Sequence, residues 1–153
     1  MKFPSWLKVF GDQSFRGECH QETNEQLAFF SIMKREFPQY HAVAIHPKDE
    51  GKRAKAQFHQ LAMDKKLGLT PGSSDIIIPA MVPFVCELKR RDHTKSHWQD
   101  GQQEYLLAAH ELGAFCCVAL GHEGALLALK DWEQVNNRAI EIMKQHQHEV
   151  QGK

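Results

Sequence analysis

No stretch of this 153-residue chain approaches the ~20 consecutive apolar residues that a bilayer-spanning helix needs. The opening segment, MKFPSWLKVFGDQSF, has an early lysine but too few consecutive apolar residues for a secretory leader. A cytoplasmic setting without a membrane partner is the expectation. Net charge is missing too: 19 basic and 19 acidic residues cancel, which argues against a chain that coats a polyanion along its whole surface. Cysteine is scarce. The four present, Cys19, Cys86, Cys116 and Cys117, show no C-x-x-C spacing, so neither a zinc site nor a disulfide framework is indicated. Cys116 and Cys117 are adjacent and would face opposite sides of a strand, as small buried hydrophobes do. The glycines form neither a G-x-G-x-x-G nor a Walker pattern. There is no G-x-S-x-G elbow, and none of the ten histidines sits in H-E-x-x-H. His93, His97, His110 and His122 read as surface or capping residues.

What is present is an ordinary globular balance, 42% hydrophobic and 25% charged, in a length that suits one domain with a real core. Residues 1–17 read as an irregular N-terminal arm and residues 133–153 as a polar helical tail. An amphipathic helix is predicted from Glu22 to Glu36, stopped by Pro38. HAVAIH (41–46) reads as a short strand, and the basic segment 52–67 as a helix. Gly68, Pro71 and Gly72 break the chain before two apolar strands, Ile76–Ile78 and Phe84–Glu87. A further helix begins at Gln99 or Gln102 and stops at Gly113. FCCVAL (115–120) is a buried strand, and Gly121 leads into a last helix. The predicted order is αβαββαβα, an α/β fold. Its sheet is mixed and flanked by helices, with parallel strands joined through the 84–120 β–α–β unit.

The densest chemistry lies in SSDIIIPAMVPFVCELKR, residues 73–90. If its two apolar runs pair, Asp75 and Glu87 meet at one end of a sheet, and Lys89 shares a face with Glu87. Two carboxylates, the Leu88 carbonyl between Glu87 and Lys89, and an adjacent ammonium match the oxygen ligands that Mg²⁺ prefers, and Mn²⁺ can take the same site. The set suits phosphodiester hydrolysis. The competing reading is a pair of solvated strand ends. Glu22, Glu25 and Gln26 share one side of the first helix, from which a carboxylate could reach the cation. Gln102 opens the later helix, with Gln99 and Gln103 as neighbours in competition. The basic residues cluster at Lys52, Arg53 and Lys55, at Lys65 and Lys66, and at Lys89, Arg90, Arg91 and Lys95. A cluster that includes Arg90 could hold nucleic acid at a defined place.

In this order the blocks ETNEQLAFFSIMKREFP, HPKDEGKRAKAQ, GLTPGSSDIIIP with FVCELKR, and GQQEYLLAAHELGAFCCVALG resemble the PD-(D/E)xK nuclease superfamily. The closest resemblance is to its small VRR-NUC group, which is often phage-borne. The likeness runs from about residue 22 to 132. One departure is Ser74, where the family usually carries proline before the aspartate. The resemblance implies a restriction-endonuclease-like fold and a Mg²⁺-dependent endonuclease acting on DNA. Its substrate would be branched or structured DNA, as for Holliday-junction resolvases, and it would act as a homodimer, within a bacterial host if phage-encoded. It further implies Asp75 and Glu87 as metal ligands, Lys89 as the catalytic lysine, Glu22 as the helix carboxylate and Gln102 as the motif glutamine. Lys52 and Arg53 become phosphate contacts. A sequence-specific restriction or repair nuclease and a non-catalytic DNA-binding phage protein remain the alternatives.

Overall fold

The computed structural model describes residues 1–47 and 72–151. Elements follow in the order β1 (Lys8–Phe10), α1 (Glu22–Glu36), α2 (Pro38–His41), β2 (Ile76–Ile78), β3 (Phe84–Lys89), a 3-10 turn (His93–Lys95), α3 (Gln102–Glu111), β4 (Phe115–Leu120) and α4 (Gly121–Gln151). The strands form a mixed sheet in the order β1-β4-β3-β2. β1 and β3 run parallel to β4, and β2 is antiparallel to β3. The predicted mixed sheet with flanking helices is therefore the observed architecture, including the parallel β3–α3–β4 unit.

Every residue of β3 and β4 is buried, as expected of central strands covered on both faces. One face carries Ile76, Ile78, Phe84, Cys86, Leu88 and Cys117. These residues pack under Phe29 and Met33 of α1 and Ala125, Leu129 and Trp132 of α4. The other face carries Val85, Cys116 and Val118, which meet Leu106 of α3 and Leu7 of the N-terminal segment. Cys116 and Cys117 thus serve opposite faces, as the period of two requires. Trp132 also ties the sheet to α4: its Nε1 donates to Val82 O at 2.7 Å, and Val82 N donates to Asn136 Oδ1 at 3.0 Å.

Two sequence expectations fail, for stated reasons. HAVAIH is not a strand. Pro38 opens the one-turn helix α2 through His41, its fixed φ suiting the first helical position, and only Ile45 pairs with the sheet, through an isolated bridge to Ile77. Val43 and Ile45 stay exposed at 46% and 51%, so this apolar alternation earns no burial at the sheet edge. The arm 1–17 is not wholly irregular either. Lys8–Phe10 forms β1 by pairing with Cys117–Ala119. Three residues are too few to show a period, and β1 exists because β4 offers it an edge. Gly124 makes room for that contact, since a Cβ there would meet Phe10 O at 2.6 Å. The predicted basic helix 52–67 lies outside the described residues. The polar tail is continuous with α4, whose 31 residues begin at Gly121.

Candidate metal centre

The register of β2 against β3 decides the site. Ile76, Ile77 and Ile78 pair with Cys86, Val85 and Phe84. Continued by one residue, the same register sets Asp75 directly opposite Glu87, on the face that Val85 and Lys89 share. Ile77 exchanges its backbone bonds with Ile45 on the outer edge, so the Asp75–Glu87 position is of the close, non-hydrogen-bonded kind. Like charges placed directly opposite destabilise a sheet. This pair therefore requires compensation.

Lys89 supplies part of it. Its Nζ donates to Glu87 Oε1 at 2.8 Å and to Gln102 Oε1 at 3.0 Å. Gln102 Nε2 donates back to Glu87 Oε1. The three side chains are buried, at 0% exposure for Glu87, 1% for Lys89 and 5% for Gln102. Trp98 closes the outer side, with the Lys89 ammonium 5.6 Å from its ring centroid, within cation–π range. Asp75 Oδ2 accepts the Leu88 N–H at 2.9 Å. Amide and carbonyl of one strand residue point to the same edge, so the Leu88 carbonyl also faces the edge where β2 has ended and Asp75 sits. On the far side of Asp75, His46 Nδ1 lies 2.8 Å from the Asp75 carbonyl.

The electrostatics match the geometry. Burial, first, and the Asp75 carboxylate, second, push Glu87 up to about 8 against the pull of Lys89. Burial also raises Asp75, partly offset by the Leu88 N–H and by Lys89. The Glu22 carboxylate adds to both shifts, after the larger influences of burial and Lys89. Glu87 Oε2 is buried without any partner, a costly state for a carboxylate oxygen.

Of the two candidate helix acids, Glu22 turns toward this set and accepts a hydrogen bond from Ser96 Oγ at 2.6 Å. Glu25 is engaged elsewhere. Its Oε2 accepts from His122 N at 2.9 Å and lies 2.6 Å from His122 Nδ1, so it caps the start of α4. Gln26 Nε2 lies 2.6 Å from His46 Nδ1 and donates to the Asp75 backbone carbonyl at 3.5 Å rather than to a carboxylate. Gln102 is the glutamine at Lys89. Gln99 meets it through the backbone, donating its N–H to Gln102 Oε1 at 2.9 Å and accepting from Gln102 N at 3.2 Å. Arg90 turns to the N-terminal loop, where Nη2 donates to Cys19 O at 3.1 Å. Lys52 and Arg53 lie outside the described residues. Sequence reasoning missed Ser96, Trp98 and His46. Only Trp98 left a signal, as a large aromatic within the polar run 92–101.

Among the described residues, no three His, Cys, Asp or Glu side chains converge to enclose a metal by themselves. A divalent ion at Asp75 and Glu87 would rest on two carboxylates, the Leu88 carbonyl and water. That donor set fits Mg²⁺, which binds through one or two carboxylates and keeps several waters. The orphaned Glu87 Oε2 gives such an ion a place. A cleft of about 400 Å³ lies alongside, lined by Glu25, Arg91, Leu120 and His122 among others. Asp75, Glu87 and Lys89 do not line it.

Among the described residues no helix is long and apolar enough to cross a membrane. No family model matches the chain, and no curated protein matches it. A solved structure described as a VRR_NUC domain protein is similar, at 18% identity and a TM-score of 0.60, over 76% of this chain and 89% of that one. The fold is thus that of a mixed sheet flanked by helices, consistent with a restriction-endonuclease-like arrangement.

Proposed function

We propose that this chain is a divalent-metal-dependent endonuclease of PD-(D/E)xK type that hydrolyses DNA phosphodiester bonds, at branched or otherwise structured sites. One observation carries the reading. Asp75 stands opposite Glu87 with Lys89 buried beside them, and one Glu87 oxygen has no partner. A module without chemistry gains nothing from two buried carboxylates facing a polyanion. The fold likeness to a VRR_NUC domain protein supports the same reading.

Asp75, Glu87 and the Leu88 carbonyl would hold Mg²⁺, or Mn²⁺ in its place, with Glu22 contributing from α1, directly or through water. When bound, the ion supplies Lewis-acid neutralisation at phosphorus and acidifies water. The protein's own part is positioning. Glu87 and Gln102 hold the Lys89 ammonium in one orientation, where it can donate to a phosphoryl oxygen or to the attacking water. Gln102 bonds both Lys89 and Glu87, and so fixes their spacing. Lys52, Arg53 and Arg90 are the proposed phosphate contacts. A homodimer would present two such sites to one branched substrate, in the cytoplasm of a bacterial host.

The test is incubation of plasmid and four-way-junction DNA with and without Mg²⁺ or Mn²⁺. Cutting that needs the ion and falls by about 10²–10³-fold in Lys89→Ala is expected, with a preference for the junction. Identical, uncut DNA with wild type and Glu87→Ala under all conditions would sink the proposal.

A further inference from the structure

We infer that Ser96 is a positioning residue for the Glu22 carboxylate, holding it in place to serve the cation between Asp75 and Glu87. The inference rests on the metal-centre reading above and assigns a role to a loop residue that the reading leaves unused.

Ser96 Oγ accepts the Arg90 N–H at 3.1 Å. An amide N–H only donates, so the hydroxyl proton of Ser96 is left for its other neighbour, Glu22 Oε1, at 2.6 Å. That length belongs to a charge-assisted O–H···O⁻ bond. The chain Arg90 N–H, Ser96 O–H, Glu22 therefore has one sense. It joins the exit of β3, which carries Glu87 and Lys89, to the first residue of α1. Oε1 of Glu22 is spoken for, which leaves Oε2 to serve the cation, directly or through one of its waters.

The loop that presents Ser96 is itself fixed. Asp92 Oδ1 accepts from Thr94 N at 3.1 Å and Thr94 Oγ1 at 2.6 Å, and Asp92 Oδ2 accepts from Gly17 N at 3.1 Å. Ser96 N closes the turn onto His93 O at 3.3 Å. Glu22 needs such a hold. It is half-buried, and its charge acts against those of Asp75 and Glu87, so repulsion alone would swing it outward. A hydroxyl aimed at one of its oxygens opposes that swing without neutralising the charge. Outer partners of metal-ligating carboxylates typically change metal affinity by 10–100-fold when removed.

The test compares wild type, Ser96→Ala, Ser96→Thr, Glu22→Gln and the Ser96→Ala/Glu22→Gln double variant. Mn²⁺ binding is measured by calorimetry without DNA, junction cleavage against Mg²⁺ concentration, and thermal unfolding in EDTA. Ser96→Ala should weaken Mn²⁺ by about 10-fold and shift the Mg²⁺ requirement by the same factor. Its rate at saturating metal should stay near wild type, and Ser96→Thr should recover the affinity. In the Glu22→Gln background the alanine should have no further effect. A purely structural serine would lower the unfolding temperature and leave Mn²⁺ affinity alone, and that result overturns the inference. So does additivity in the double variant. If wild type binds Mn²⁺ and cuts while Ser96→Ala is indistinguishable from it, this inference alone falls. If wild type neither binds Mn²⁺ nor cuts, the metal-centre reading falls and takes this one with it.

Discussion

An ammonium with 1% exposure, as in Lys89, stays inside a protein only when its neighbours replace water. Glu87 and Gln102 accept from it, and the face of Trp98 covers it. Removing the ammonium leaves Glu87 and Gln102 without their buried partner beside Asp75. Lys89→Ala should therefore cost about 3–5 kcal/mol of stability in EDTA, the range for breaking one partner out of a buried pair. Urea unfolding checks this, and a loss below about 1 kcal/mol would show that the pair is solvated. Asp92 makes a pH-dependent contribution. Hydrogen bonds from Thr94, first, and from Gly17 hold its carboxyl down at about 2, below its ordinary 3.8. A depressed folded value means stability that is fully present above the ordinary value and is lost as pH falls toward the folded one. The stability difference between wild type and Asp92→Asn should thus be constant from pH 7 to about 4 and shrink below that. Denaturant midpoints at pH 7, 4 and 3 measure it. A difference unchanged at pH 3 would contradict the assignment.

At the scale of elements, α1 divides its two acids between separate jobs. Glu22 looks to the sheet end, while Glu25 caps α4 by accepting the His122 N–H and pairing with its imidazole. A carboxylate at a helix start satisfies an orphan N–H and complements the helix dipole. Glu25→Ala should cost about 1–2 kcal/mol and leave the response to Mg²⁺ intact, whereas Glu22→Ala should do the reverse. Thermal unfolding with and without Mg²⁺ separates the two. The segment entering β2 is equally constrained. Gly72 has φ +74°, and a Cβ there would run into the Gly101 backbone at the start of α3. This contact brings the approach to Asp75 against the helix that carries Gln102. Gly72→Ala should cost about 1–3 kcal/mol and lower activity beyond what the stability loss explains. Wild-type activity in a folded Gly72→Ala protein would show that the approach is not needed.

For the whole molecule, the proposed role of the acid pair would couple folding to a ligand. An ion that binds the folded chain and not the unfolded one stabilises by mass action, by about 2.7 kcal/mol at a hundredfold excess over Kd. Mg²⁺ should raise the unfolding temperature of wild type, EDTA should reverse it, and Asp75→Ala should abolish the rise. Equal shifts in both proteins would place the ion elsewhere. The scaffold beneath the pair is an ordinary packed core in which α4 covers one face of the sheet. The buried Trp132 is its largest element there and donates to the strand link at Val82.

The sequence alone determined the central strands, because six consecutive buried residues in FCCVAL and the apolar run before Glu87 leave no amphipathic alternative. It also determined α1 and the stop at Gly113, and it placed Glu87 and Lys89 on one face, since a strand's period of two is a local property; Asp75 joins that face only through the register of β2 against β3. Tertiary structure decided the rest. β1 needed the edge of β4, and HAVAIH failed as a strand because one bridge at an exposed edge does not bury its apolar side. That Glu22 meets Ser96 and Glu25 meets His122 depends on which neighbour each side chain finds across 74 and 97 positions of chain. Spacing along a helix records which residues share a side. It carries no information about what that side will face.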